Sequence, residues 1–199
     1  MLPLHKRSAM FFPAFLNLTN KKILVIGGGK IAADKIEKLL DFTQNITILA
    51  PTLNDRTKEL IQRYDLALIQ RPYQKSDIDG FFLVIVAVDD LELQKEIFQE
   101  AQNAKVLVNS VDSTKYCDFI FPSYIKEKDL VIAFSTSGAS PALSKYLRRA
   151  IQKLLPPDIG EFVEKLKNLR KSLPKGKKRM ELLDQKAKEY IDRHFKDSQ

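Results

Sequence analysis

The chain has one cysteine and two histidines in 199 residues, and nowhere eighteen apolar residues in a row. A single Cys117 excludes an internal disulfide and a cysteine-built metal site. His5 and His194 stand at opposite ends, so no His/Cys cluster has metal-ligand spacing and no metal is expected. A lone cysteine of this kind is expected to pack rather than react. The missing apolar run excludes a membrane-spanning helix. Residues 4–16 imitate a leader, basic and then apolar, but Pro13 interrupts the run and no small-residue cleavage site follows. The expectation is therefore a mature N-terminus and a cytoplasmic protein. Internal repeats and low-complexity segments are also lacking.

What is there is ordinary in bulk: 44% hydrophobic and 29% charged residues. The length suits one good core with a smaller appendage. Thirty-three Lys and Arg against 25 Asp and Glu leave a net charge of +8. That balance suits nucleic acid, an anionic membrane surface or a polyanionic small molecule, without choosing among them. Residues 161–199 hold twelve basic and seven acidic side chains, densest at Lys175-Gly176-Lys177-Lys178-Arg179. No aromatic residues interleave with that basic run to stack bases, so nucleic acid is not expected as a partner; nor, with no long apolar run, is a membrane.

Strand and helix patterns alternate through the first 110 residues. Apolar, β-branched runs at 22–26, 46–50, 67–69, 81–88 and 106–108 read as buried strands. Helical spacing at 31–40, 57–64 and 91–104 separates most of them. This is the rhythm of a parallel sheet with helices on both faces. Then it changes. Residues 118–125 and 130–135 read as two hairpin strands joined by charged residues 126–129. Ser140-Pro141 opens a helix to about Leu155, since serine caps and proline suits the first helical turn. Pro156-Pro157 ends it, and helices follow at 159–172 and 179–195.

The most informative local pattern is Gly27-x-Gly29-x-x-Ala32, placed after a strand and before a helix. Such a turn brings backbone close to a pyrophosphate without a Cβ in the way, and a small third residue lets helix pack on strand. The helix N-terminus then offers free N–H groups and partial positive charge. The acid usually expected for a ribose hydroxyl at the end of the second strand is replaced by Ala50-Pro51-Thr52. Thr52 has a hydroxyl to offer, Asn54 or Asp55 can reach back, and no Arg occurs beside this strand end before Arg56. On these residues NAD is favoured over NADP only weakly.

Five blocks follow one another in order: 12–18 (FPAFLNL), 22–32, 108–112 (VNSVD), 119–123 (FIFPS) and 137–143 (SGASPAL). Together they resemble the precorrin-2 dehydrogenase family, which includes the N-terminal part of bifunctional siroheme synthases. The resemblance spans about residues 11–155. It implies an α/β fold, a Rossmann-type parallel sheet with a small α+β dimerisation unit and a helical C-terminal domain. The corresponding divisions are 1–112, 113–155 and 156–199. It also implies the reaction: NAD⁺ takes two electrons from precorrin-2 to give sirohydrochlorin, on the route to sirohaem. Some relatives also insert Fe²⁺ as ferrochelatases and others do not. With 199 residues there is no room for the methyltransferase half of a full siroheme synthase, so a separate protein is expected to supply the substrate.

Asp112 follows the last strand of the sheet, at the edge where doubly wound folds bind ligands, and matches the family's essential aspartate. A carboxylate there is a candidate general base for the proton lost as the macrocycle is oxidised. Its plainer role is to cap the loop. Gly27, Gly28, Gly29, Lys30, Ile31, Pro51, Thr52, Val88, Asp89 and Asn109 are the candidate cofactor contacts. Asn109 is equally suited to tying its loop, and Asp90 reads better as a helix start. Lys115, Thr136, Ser137, Gly138, Ser140, Lys145 and Arg148 are candidates for the substrate's carboxylate arms, although a capped helix start and a solvated face account for them too. A non-catalytic NAD-binding sensor is the rival reading. Finally, 118–155 carries Phe119, Phe121, Ile125, Val131, Ile132 and Phe134 in two expected strands, too much apolar surface for so small a unit. A homodimer through this unit, closing a substrate cleft, is the expectation.

Overall fold

A computed structural model of the chain describes residues 11–111 and 113–195. It divides into two compact units, Met1–Ile120 and Phe121–Gln199.

The first unit runs β1 (Ile23–Ile26), α1 (Lys30–Leu40), β2 (Ile46–Leu49), α2 (Asp55–Tyr64), β3 (Ala67–Ile69), β4 (Leu83–Val86), α3 (Leu91–Ala104) and β5 (Leu107–Ser110). The five strands form one parallel sheet in the order β3-β2-β1-β4-β5. Every residue of β1 and β4 is buried, which is why these strands read as unbroken apolar runs rather than as alternation. Helix α1 buries Ala32, Ala33, Ile36 and Leu39 along one stripe, and α3 buries Gln94, Ile97 and Ala101. Chain order reverses between β1 and β4. In such sheets the ligand crevice lies beyond the carboxyl ends of the strands at that switch point.

The β3–β4 connection contains no helix. It is fixed by polar bonds instead: the Arg71 guanidinium grips both oxygens of Asp77 at 2.6 and 2.7 Å, and the Tyr73 hydroxyl donates to Glu100 at 2.7 Å.

The second unit holds an antiparallel hairpin, β6 (Ser123–Glu127) and β7 (Leu130–Phe134), then α4 (Pro141–Leu154), α5 (Ile159–Ser172) and α6 (Lys177–Phe195). The hairpin turns on Lys128 and Asp129, with Lys128 in the left-handed region at φ 55°. Ser140 caps α4 by accepting from the Leu143 amide, with Pro141 in the first turn. Helices α5 and α6 meet through the stacked rings of Phe162 and Tyr190, 3.9 Å apart, and the Tyr190 hydroxyl donates to Asp158 at 2.8 Å.

The hairpin departs from expectation at its start. Residues 118–122 are not strand, so Phe119 and Phe121 precede β6 instead of lying in it. The segment just before them is tied to β5 instead. The Asp118 amide donates to the Val108 carbonyl at 2.8 Å, its carboxylate accepts from the Val108 amide, and Asn109 bridges Cys117. Pro122 then has no N–H to offer a ladder, and pairing begins at Ser123. These bonds to β5 also put residues 113–120 with the first unit. No described helix is long and apolar enough to cross a membrane.

Candidate functional site

The three consecutive glycines between β1 and α1 are required for different reasons. Gly27 has φ +119°, and a Cβ there would lie 2.2 Å from the Ala87 carbonyl oxygen of the strand-β4 exit. A Cβ on Gly28 would lie 2.2 Å from the Thr52 carbonyl oxygen. Packing within the protein therefore dictates both. Gly29 has an ordinary extended backbone, φ −83° and ψ −171°, and a Cβ there would meet nothing within 4 Å. The protein itself has no need of glycine at 29. The open space a Cβ would occupy is what a pyrophosphate approaching the backbone requires.

Helix α1 supports the same assignment. Gly29, its N-cap, makes no side-chain cap bond, and the first turn carries no acidic residue. Helices α2, α3 and α4 are capped by Asn54, Asp90 and Ser140 respectively. An uncapped N-terminus keeps its N–H groups and partial positive charge for an outside anion. Ala32 is fully buried, as the third position of the turn demands. Lys30 and Ile31 are exposed at the helix start.

The loop after β2 is bound to this turn. The Asn54 amide donates to the Gly28 carbonyl at 2.9 Å, and the buried Thr57 hydroxyl donates to the Gly29 carbonyl at 3.4 Å. Pro51 and Thr52 are exposed beside it. On the other flank, Val88 and Asp89 leave β4. The Val88 carbonyl accepts from the Gln94 side chain at 2.7 Å, while Asp89 is exposed and Asp90 accepts from the Glu92 and Leu93 amides. Asp90 is thus the helix cap that its position suggested. Gly27–Ile31, Pro51–Thr52 and Val88–Asp89 accordingly gather at one edge of the sheet.

Asn109 is 5% exposed in β5, with its side-chain amide donating to the Phe119 carbonyl at 2.9 Å. Its Oδ1 and the Ser110 hydroxyl oxygen are buried and find no partner among the described residues. Asn109 thus ties its loop. Cys117 donates to the Ser110 and Ser113 carbonyls at 3.1 and 3.0 Å, and burial pushes its thiol pKa up. A thiol so held is a poor nucleophile. Asp112 lies outside the described residues; its neighbour Val111 donates to the Val86 carbonyl at 2.9 Å, on the same sheet edge. Lys115 is exposed, its ammonium 5.4 Å from the Tyr116 ring centre.

The remaining candidates belong to the second unit. The Thr136 hydroxyl donates to the Ser140 carbonyl at 3.1 Å and accepts from the Ser140 amide at 3.0 Å, closing a tight loop. Ser137 and Gly138 form its exposed tip, both with positive φ. Arg148 donates to Gln152 at 2.8 Å, and Lys145 is exposed on the same helix. Thr57 and Gln94 escaped sequence reasoning. Each is a polar residue inside an amphipathic helix, and only the fold shows that its side chain holds the backbone of the glycine turn or of the β4 exit.

An uncapped helix behind a glycine turn, at the switch point of a parallel sheet, defines a dinucleotide-binding protein. Residues 14–123 match the model of a family described as putative NAD(P)-binding. Siroheme synthase 1 of Serratia proteamaculans is 38% identical over 154 residues, covering 77% of this chain and 32% of that protein. Siroheme synthase of Neisseria meningitidis is 37% identical over the same length, again covering 77% and 32%. The solved structure of SirC, a precorrin-2 dehydrogenase, superposes with a TM-score of 0.75 at 26% identity over 88% of both chains. The chain belongs to the putative NAD(P)-binding family whose model it matches. It spans about a third of the length of the siroheme synthases it matches.

Proposed function

We propose that the chain is an NAD-dependent oxidoreductase that converts precorrin-2 to sirohydrochlorin. The carrying observation is the glycine turn, where Gly29 alone of three glycines is left open by the protein and α1 alone of the first four helices has no side-chain cap. The turn and its uncapped helix would hold the pyrophosphate; Pro51, Thr52, Val88, Asp89 and Asn109 would line the nucleoside ends. Bound NAD⁺ supplies the hydride acceptor. The chain's part is to orient the macrocycle and remove a proton, and Asp112 is our candidate base, following Val111 at the ligand edge of the sheet. Lys115, Thr136, Ser137, Gly138, Ser140, Lys145 and Arg148 are our candidates for the acetate and propionate arms, which suit the chain's net charge of +8.

We also propose a homodimer through the second unit. The apolar side of α4 supports this: Leu143, Tyr146, Leu147 and Leu154 follow helical spacing and are 43–65% exposed. A contiguous apolar stripe of this kind marks an interaction surface.

The test is anaerobic incubation of the protein with NAD⁺ and enzymatically made precorrin-2, read by NADH absorbance. Asp112→Ala is expected to lower the rate by about 10²–10⁴-fold while NAD⁺ binding stays near normal. A folded variant with near-wild-type turnover refutes the base assignment, and a wild type that binds NAD⁺ without turnover makes the chain a sensor. Adding Fe²⁺ to the same reaction reads sirohaem formation as a further change in the macrocycle's absorbance.

A further inference from the structure

An ion-pair cluster lies beside the glycine turn, between α1 and α2. Arg56 is the second residue of α2, and its neighbours Asn54 and Thr57 are the two residues bonded to the carbonyls of Gly28 and Gly29. Its guanidinium reaches back to α1, donating to Asp34 at 2.6 Å and to both oxygens of Glu37, one of them at 2.8 Å. All three side chains are 41–48% exposed. Exposed pairs of this kind contribute little to stability, so holding α1 against α2 is a weak reason for so complete a grip.

The cluster's position suggests another reason. After β2 a dinucleotide site normally shows either an acid, which binds the ribose 2′-hydroxyl and repels a 2′-phosphate, or an arginine, which binds that phosphate. Ala50-Pro51-Thr52 supplies neither. Nothing at the strand end itself therefore rejects the phosphorylated cofactor, and Arg56 is the first arginine after the strand. Two carboxylates occupy its donors and give the cluster one net negative charge. The neighbouring cation, Lys58, is itself paired with Asp55 at 3.2 Å.

We infer that Asp34 and Glu37 set the cofactor preference, by withholding Arg56 from a ribose 2′-phosphate and so disfavouring NADP⁺ against NAD⁺. Discrimination that other sites place in a strand-end acid is here moved to the outer side of α1. This inference rests on the dinucleotide-site reading of the glycine turn.

The test uses the full chain and calorimetric titration with NAD⁺ and NADP⁺. The wild type is expected to bind NAD⁺ more tightly. Asp34→Asn with Glu37→Gln is expected to tighten NADP⁺ by about tenfold or more, the scale of a charge-assisted hydrogen bond, with NAD⁺ affinity little changed. Adding Arg56→Ala to that pair is expected to remove the gain. A folded double variant that binds NADP⁺ no better than wild type overturns the inference while leaving the dinucleotide site intact. So does a gain that survives Arg56→Ala, or a wild type that prefers NADP⁺. A wild type that binds neither nucleotide defeats the glycine-turn reading itself, and this inference with it. Single Asp34→Asn, an exposed and nearly isosteric change, gives the same reading with a smaller gain should the double variant unfold.

Discussion

The two units of this chain use similar apolar material to different ends. In the first, β1 and β4 are buried along their whole length and the helices cover both faces of the sheet. In the second, β7 has no buried residue, although it reads Leu-Val-Ile-Ala-Phe, and α4 buries only Ser144. A parallel sheet must be enclosed by its own crossover helices, so it closes its own core. A two-stranded hairpin with three helices has no such obligation. Its polar ties, Lys128 to Glu161 and Glu164 and Lys167 to Asp129, are all exposed and bring the turn to α5 without hiding apolar surface. The first unit closes its own core, and the second leaves Leu143, Tyr146, Leu147 and Leu154 of α4 exposed.

The largest effects should separate the glycines of the complete unit. Gly27→Ala is expected to cost about 4 kcal/mol or more, because the new Cβ meets a carbonyl oxygen at 2.2 Å and φ is +119°. Thermal unfolding or loss of soluble protein measures it. Gly29→Val should instead fold normally and lose NAD⁺ affinity by more than about tenfold, or 1.4 kcal/mol. A folded variant with unchanged affinity would remove the dinucleotide site.

Next comes the contrast between cores. Ile85→Ala, fully buried in β4, is expected to destabilise by about 2–5 kcal/mol in urea. Tyr146→Asp, at a residue of α4 that is 63% exposed, should leave the unfolding of the single chain almost unchanged and act on assembly. By light scattering the wild type is expected at twice 22.8 kDa and the variant at 22.8 kDa. Monomeric wild type would show that the second unit's surface serves something other than a second copy.

A smaller, pH-dependent effect should appear in the β3–β4 connection of the first unit. Arg71 holds the Asp77 carboxyl below its ordinary value of 3.8, through its hydrogen bonds and against the opposing effect of burial. A depressed folded pKa means that the stabilisation is full above that ordinary value and is lost as pH falls through the folded one. The urea midpoint of Asp77→Asn should therefore fall below wild type at pH 7 and converge with it once the pH has fallen through the depressed folded value. A gap independent of pH would assign the effect to packing. Smallest of all, Lys128→Ala removes two exposed pairs of the second unit and is expected to leave thermal stability near that of wild type.

Where the elements lie was largely legible from the amino-acid order. Periodicity located all five parallel strands to within two residues at each end, and matched β3 and α3 in both bounds, because a run buried on both faces, or along one helical stripe, leaves its mark in the local pattern. The turn of small residues after β1 announced a phosphate site for the same reason: its requirements are met within six residues. Pairing across the chain was a different matter. Residues 118–122 have the apolar content of a strand, yet the hairpin ladder begins only at Ser123, while Asp118 and Phe119 are bonded to Val108 and Asn109 of β5. Nor does anything in the letters show that packing dictates Gly27 and Gly28 while the space beside Gly29 is open, or that Arg56 is already held. Those distinctions arise from distances between segments far apart in sequence, Ala87 against Gly27, Thr52 against Gly28 and Asp34 and Glu37 against Arg56, and such distances exist only once the sheet has brought the segments together.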